Sequence, residues 1–130
     1  MRTTTRGSAS ALLGMILAIM TGCASLHAAG GEPITGIDQI AGKWVGTITP
    51  GHDSVRERFY LTITPDGRLV AEWGVDTSWG TVTLRNGQGT FEMKPPIAQG
   101  SIRLYVESGK RTLVMAGVVP SFLAEMTPQH

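Results

Sequence analysis

A single cysteine, Cys23, is all the thiol chemistry in this chain. It excludes an internal disulfide framework and any cysteine-rich zinc site. Charge is sparse: Lys, Arg, Asp and Glu together make 16% of the residues, and the formal net charge is +1. No block of Lys and Arg stands out, so the chain lacks the electrostatic footprint of a nucleic-acid partner. Helical periodicity is nearly missing. Ile37, Ile40 and Ala41 hold it for about one turn and then it stops. There is no repeat of fixed period, and no phosphate-binding glycine loop leads into a helix. His27, His52 and His130 are scattered without metal-ligand spacing, so neither a metal nor another cofactor is expected.

What is present begins with the N-terminus. Arg2 and Arg6 precede the apolar run Ala11 to Met20, and Thr21-Gly22-Cys23 follows. A basic start, a short apolar core and small residues at its end form a secretory signal. The run is ten residues long, whereas a spanning helix needs about 20. Met20-Thr21-Gly22-Cys23 resembles the lipobox of bacterial lipoproteins, with Met where that family usually has Leu. The resemblance implies a signal helix over 1–22, cleavage before Cys23, and fatty-acyl chains of the palmitate class on Cys23. Several chains hold a protein firmly where one holds it marginally. The expected setting is the cell envelope, with the membrane as a partner through the anchor. Ala24, rather than a retention-type Asp, points to the outer membrane facing the periplasm. Ordinary secretion with cleavage after Ala28 or Ala29 is the alternative, and Cys23 then leaves with the signal. Removing Arg2 and Arg6 from the eleven basic residues leaves nine against ten acidic ones, a balance of −1.

Residues 23–36 read as a small-residue, Gly-containing flexible tether reaching ~20 Å on average. Residues 37–130 read as one small domain. From Lys43 the period becomes two. Trp44, Gly46 and Ile48 share a face, as do Phe59, Leu61 and Ile63, and then Leu69, Ala71, Trp73 and Val75. Trp79 to Leu84 and Gly89 to Met93 make two further runs. Ile102, Leu104 and Val106, then Leu113, Met115 and Gly117, and finally Ser121 to Met126 complete eight. This is the signature of antiparallel strands with one buried face. Pro65-Asp66-Gly67, Asn86-Gly87 and Ser108-Gly109 mark tight hairpins. Asp76-Thr77-Ser78 reads as a looser turn, and Gly51 to Ser54 and Pro95 to Gly100 as longer loops.

Short connections leave no room for crossover helices, so consecutive strands pair as an up-and-down meander. Eight such strands expose two edges unless they close. The expectation is therefore an all-β domain, a small closed antiparallel barrel. Two or three inward residues per strand fill an eight-stranded barrel, so its interior should be largely solid. An outer-membrane barrel needs strands of about 9–11 residues with apolar faces outward. These runs are mostly shorter, with the apolar face inward.

Ile37 to Trp44 is similar to the opening of lipocalins, in which a short helical turn leads into Gly-x-Trp on the first barrel strand. Gly42-Lys43-Trp44 matches that motif. The resemblance implies a calycin-type barrel and, more distantly, capture of a small apolar ligand or lipid. The barrel region is shorter than a usual lipocalin's, and no C-terminal helix pattern follows. The Arg that covers the Trp in that family has two candidate counterparts, Arg103 and Arg111.

Catalytic constellations are thin, and the chain is expected not to be an enzyme. His52, Asp53 and Ser54 hold the residue types of a hydrolase triad, but as neighbours in a loop they cannot assume its geometry. Glu72 and Asp76 could form a glycosidase pair only if they converged. Contact residues are better candidates: Trp79 at a barrel mouth, Ile97 on the Pro95-Pro96-Ile97 tip, and Tyr60 and Tyr105 on the polar face. Three functions follow. The first is a membrane-anchored, non-catalytic module binding a small apolar molecule or lipid. The second is a protein-protein interaction or inhibitor module of the envelope. Hydrolysis is the remote third. Periplasmic lysozyme inhibitors exemplify the second, but their paired cysteines are absent here.

The anchor is tested by Cys23→Ser and cell fractionation. Release from the membrane fraction with altered processing is expected. A variant that is processed normally and stays with membranes would remove the assignment.

Overall fold

The computed structural model describes residues 31–51 and 55–130. A 3-10 turn, Ile37–Gln39, precedes eight strands: β1 Gly42–Pro50, β2 Glu57–Ile63, β3 Arg68–Trp73, β4 Asp76–Arg85, β5 Gln88–Lys94, β6 Ala98–Glu107, β7 Lys110–Val119 and β8 Ser121–Pro128. Each pairs antiparallel with the next, and β1 pairs with β8 from Trp44↔Pro128 to Pro50↔Phe122. The ring is therefore a closed up-and-down barrel, as the alternation and short turns predict. Closure matters because an open meander would leave two rows of unpaired backbone donors and acceptors.

Parity along each strand sets the core. Trp44, Ile48, Phe59, Leu61, Ile63, Leu69, Phe91, Met93, Ile102, Leu104, Leu113 and Met115 all point inward, as expected, joined by Val82, Ala98, Phe122, Ala124 and Met126. These side chains expose at most 8% of their surface, and most expose 0 or 1%. A void able to hold a ligand would leave its lining accessible, so the interior is filled. Phe59 tilts against Trp73, and Phe91 against Phe122, each with ring centroids 5.9 Å apart. Burial of each large apolar side chain contributes roughly 1.5–3 kcal/mol.

Closing so small a ring forces sharp corners at inward positions. A Cβ on Gly46, Gly80 or Gly100 would run into the carbonyl oxygen of Glu125, Glu92 or Ala116 on the neighbouring strand. Glycine serves there because the backbones approach too closely for any side chain.

Up-and-down connection places the turns alternately at two ends. The β2–β3, β4–β5 and β6–β7 turns lie at the end where the chain enters the barrel. The β1–β2, β3–β4, β5–β6 and β7–β8 turns lie at the far end. The entry end is sealed by the chain's own lead-in. Glu32 bridges to Leu104, its N–H donating to the Leu104 carbonyl at 2.6 Å, and the Ile34 N–H donates to the Gly87 carbonyl at 2.9 Å. Ile34 and Ile40 are fully buried. The Gln39 side-chain oxygen accepts from the Thr35 and Gly36 N–H groups at 2.5 and 3.2 Å and holds the 3-10 turn in place. Residues 31–36, expected to belong to the tether, are thus stitched to the barrel, because Ile34 has an apolar site to fill. The expected signal segment, 1–22, and the first part of the expected tether lie outside the described residues.

Trp44 sits beneath this seal. Its indole N–H donates to the Ile40 carbonyl at 2.9 Å, which satisfies the one polar atom of a ring 1% exposed. Arg111 lies over the ring, its guanidinium carbon 5.1 Å from the centroid, and also donates to the Gln39 carbonyl. Of the two arginines considered, Arg111 covers the Trp. Arg103 points outward on β6.

Several assignments differ from the sequence expectation. Asp76, Thr77 and Ser78 are not a turn but the start of β4, pairing with Trp73, Glu72 and Ala71. The turn falls one step earlier, at Gly74-Val75, where Gly74 takes φ +56°, a left-handed conformation that glycine adopts without steric cost. Val75 consequently leaves the inward face and is 100% exposed. Likewise, Ala98 to Gly100 belong to β6, so the β5–β6 loop shrinks to Pro95-Pro96-Ile97. Val106, expected on the inward face, is exposed beside the β6–β7 tip.

Two outcomes test this account. Trp44→Ala should cost about 3–5 kcal/mol in equilibrium denaturation, the scale of a truncated buried aromatic. A loss under ~1 kcal/mol would mean that the indole does not seal the barrel. Gly80→Ala should cost about 1–3 kcal/mol, because the new methyl meets backbone that cannot move aside cheaply. Unchanged stability would mean that the corner is looser than described.

Candidate functional site

With the interior filled, the surfaces that can meet another molecule are outside. The strand parity that turns Ser78 inward turns Trp79 outward. Trp79 stands on the wall of β4, opposite Val70 on β3 and Lys94 on β5, rather than at the barrel mouth. It is 56% exposed, and Ile97, on the β5–β6 tip, is 80% exposed. The two border one open hollow of about 470 Å³, together with Thr81, Glu92, Lys94 and Gln99. A buried hydroxyl positions the loop: Ser78 is fully buried and donates to the Pro95 carbonyl. Chemically the hollow offers an indole face, a branched aliphatic tip, one ammonium, one carboxylate and one primary amide.

Tyr60 and Tyr105 do not join this hollow. Tyr60 lies on the outer face of β2 beneath Arg58, whose guanidinium carbon is 5.7 Å from the ring centroid. It borders a neighbouring far-end hollow with Glu57, Glu72, Trp73, Val75 and Asp76. Tyr105 is half-buried beside Lys110 and Thr112, near the opposite end of the barrel.

Glu72 and Asp76 line the same open hollow, and both are exposed. Neither faces an enclosed pocket that would exclude water around a scissile bond. His52, Asp53, Ser54 and Cys23 lie outside the described residues. Among the described residues, no group of three or more His, Cys, Asp or Glu could hold a metal ion. Asp66 is held below the usual carboxylate range, first by the Thr64 hydroxyl and, more weakly, by Arg68, whose Nε is 3.2 Å from the carboxylate. Both charged side chains are well exposed, so this ties the β2–β3 turn together and contributes little stability.

The exposed large apolar residues form an axial pattern. Among the described residues, Val55, Val75, Trp79, Ile97, Val118 and Leu123 lie in the far half of the barrel, Tyr60 at the middle of β2, and Val106 towards the entry end. Sequence reasoning missed Val75. The signal was present in Gly74-Val75-Asp76: once Gly74 makes the turn, the next residue is on its tip. Val118 lies beyond Gly117, the last residue of the seventh alternating run, and so has no signal in the alternation.

Comparison with protein-family models, curated proteins and solved structures returns no match.

The positioning of the loop is open to test. Ser78→Ala should cost roughly 1–2 kcal/mol by stranding the Pro95 carbonyl, and it should raise amide exchange at Ile97. No change in either would mean that the hydroxyl does not hold the tip.

Proposed function

We propose that this chain is a lipid-anchored envelope protein whose lipocalin-like barrel is a non-catalytic binding module, working through the outer surface of its far end. One observation carries the surface part of this reading: the exposed apolar side chains collect at that end while the interior is filled. Monomeric proteins seldom leave apolar residues gathered on one region without a contact to make. The lipocalin-like idea of a ligand held inside the barrel finds no room in the packed interior, so a small apolar molecule would be met at the surface. Docking of an envelope protein, as in an inhibitor, uses the same surface and is the second reading. Trp79 is the aromatic anchor that an interface hot spot favours, and Ile97 the aliphatic one beside it.

The anchor itself rests on the lipobox-like Met20 to Cys23, and its expected outer-membrane, periplasm-facing location on Ala24. Support for the lipocalin resemblance comes from Gly42-Lys43-Trp44 opening β1, with Arg111 over the indole. Hydrolysis receives no support from the placement of Glu72 and Asp76.

The expected behaviour of substitutions separates surface binding from chemistry. Trp79→Ala and Ile97→Asp should each weaken recovery of co-purifying envelope material by about 1–2 kcal/mol in apparent affinity. Their melting curves should move by no more than ~0.5 kcal/mol. Glu72→Gln and Asp76→Asn should change neither. Loss with the acid variants and none with the surface pair would overturn the non-catalytic reading.

A further inference from the structure

Val75 and Ile97 occupy the tips of adjacent connections, β3–β4 and β5–β6, at the end remote from the chain's entry. Both protrude, and Trp79 stands on the wall between them, four residues along the strand from Val75. Protruding apolar tips on separate loops do not make a groove that would grip one peptide or helix. They suit a soft, apolar medium that closes around each of them. An indole set back from such tips sits at the depth where tryptophan is enriched at a membrane–water interface.

The position and length of the chain before Gly31 supply the occupant. Cys23 and Gly31 are eight residues apart, so a fully extended connection spans about 28 Å. The barrel is roughly 20–25 Å tall, from strands of this length at ordinary rise and tilt. Given an acylated Cys23, which this inference takes from the function proposed above, the far end stays within reach of the anchoring bilayer. Tethering makes contact with that bilayer an intramolecular event, reached with the connection near full extension. A soluble partner has no such advantage.

We infer that the far end of the barrel is a lipid-contact surface: Val75 and Ile97 enter the interfacial region and Trp79 lies at headgroup depth. The nearby charges fit zwitterionic lipid. Arg56, Arg58 and Lys94 are offset by Glu57, Glu72, Asp76 and Glu92, so no basic patch selects anionic headgroups. The contact should therefore depend little on salt or on lipid charge.

The test uses the full chain, expressed where it is processed, purified in detergent and reconstituted into phosphatidylcholine vesicles with and without phosphatidylglycerol. Mass spectrometry of the purified chain reports acylation at Cys23 independently. Brominated phospholipid quenches fluorescence in the bilayer, and subtracting the Trp79→Phe signal isolates Trp79 from Trp44 and Trp73. The expected result is quenching of Trp79 in both vesicle types, unchanged by salt. A Val75→Asp, Ile97→Asp double variant should lower the population in contact about tenfold or more. Val106→Asp, at the entry end, should leave it unchanged. Both substituted tips are exposed, and melting curves of each variant establish that the barrel is still folded. An acylated chain with unquenched Trp79 would overturn the lipid contact, leave the anchor standing and favour a protein partner. Quenching without acylation would keep the contact and remove the anchor. Absence of both would remove both. Quenching that needs phosphatidylglycerol and vanishes in salt, or that falls equally with Val106→Asp, would also overturn the inference.

Discussion

Pairing of β1 with β8 is the constraint on which the rest depends. It satisfies the last two strand edges, and it fixes the ring at eight strands of 6–10 residues. A ring of that size has an interior that side chains can fill. Once it is closed, parity decides which strand residues away from the ends are core and which are surface. Glycine at Gly46, Gly80 and Gly100 lets the backbones approach closely enough to turn the corners. The open ends are then the remaining liability. Ile34, Ile40 and Trp44 seal one of them, with the indole N–H spent on the Ile40 carbonyl and Arg111 laid across the ring.

Much of this was legible from the chain. A period of two is a direct consequence of the pleat, so most inward residues from Trp44 to Met115 could be named from alternation. Edge avoidance then argued for closure. The differences share a physical cause: a local signal does not specify where the chain turns. Asp76-Thr77-Ser78 has turn-like composition, but Gly74 turns the chain first, and parity then buries Ser78 and exposes Val75. The docking of Ile34 was hidden because a small-residue, Gly-containing stretch looks flexible until an apolar site is available to it. Arg111 could not be told from Arg103, since only the β1–β8 closure brings β7 close to Trp44. Of the candidate contact residues, Trp79 and Ile97 meet at one hollow, whereas Tyr60 and Tyr105 do not. Their separation around the ring depends on register, which no local pattern encodes.

A filled interior moves any function outward. It leaves the barrel as a rigid support that presents loops, with the N-terminal lead-in fastened at one end and the apolar tips at the other. Such a division gives the molecule a direction: the lead-in is fastened at one end, and the proposed contact surface lies at the other. The hydroxyl of Ser78, buried in the wall, ties the Pro95 carbonyl to the scaffold. The β5–β6 tip is thereby set by the same packing that closes the ring.

The central claim is that the barrel is solid, so that binding belongs to its surface. Diffraction from xenon-pressurised crystals tests it most directly, because xenon enters dry apolar cavities of about 150 Å³. The account predicts no xenon among Trp44, Phe59, Phe91, Leu113 and Met126, with any occupancy confined to surface hollows. An ordered xenon site within that cluster would contradict it and return the function to the interior.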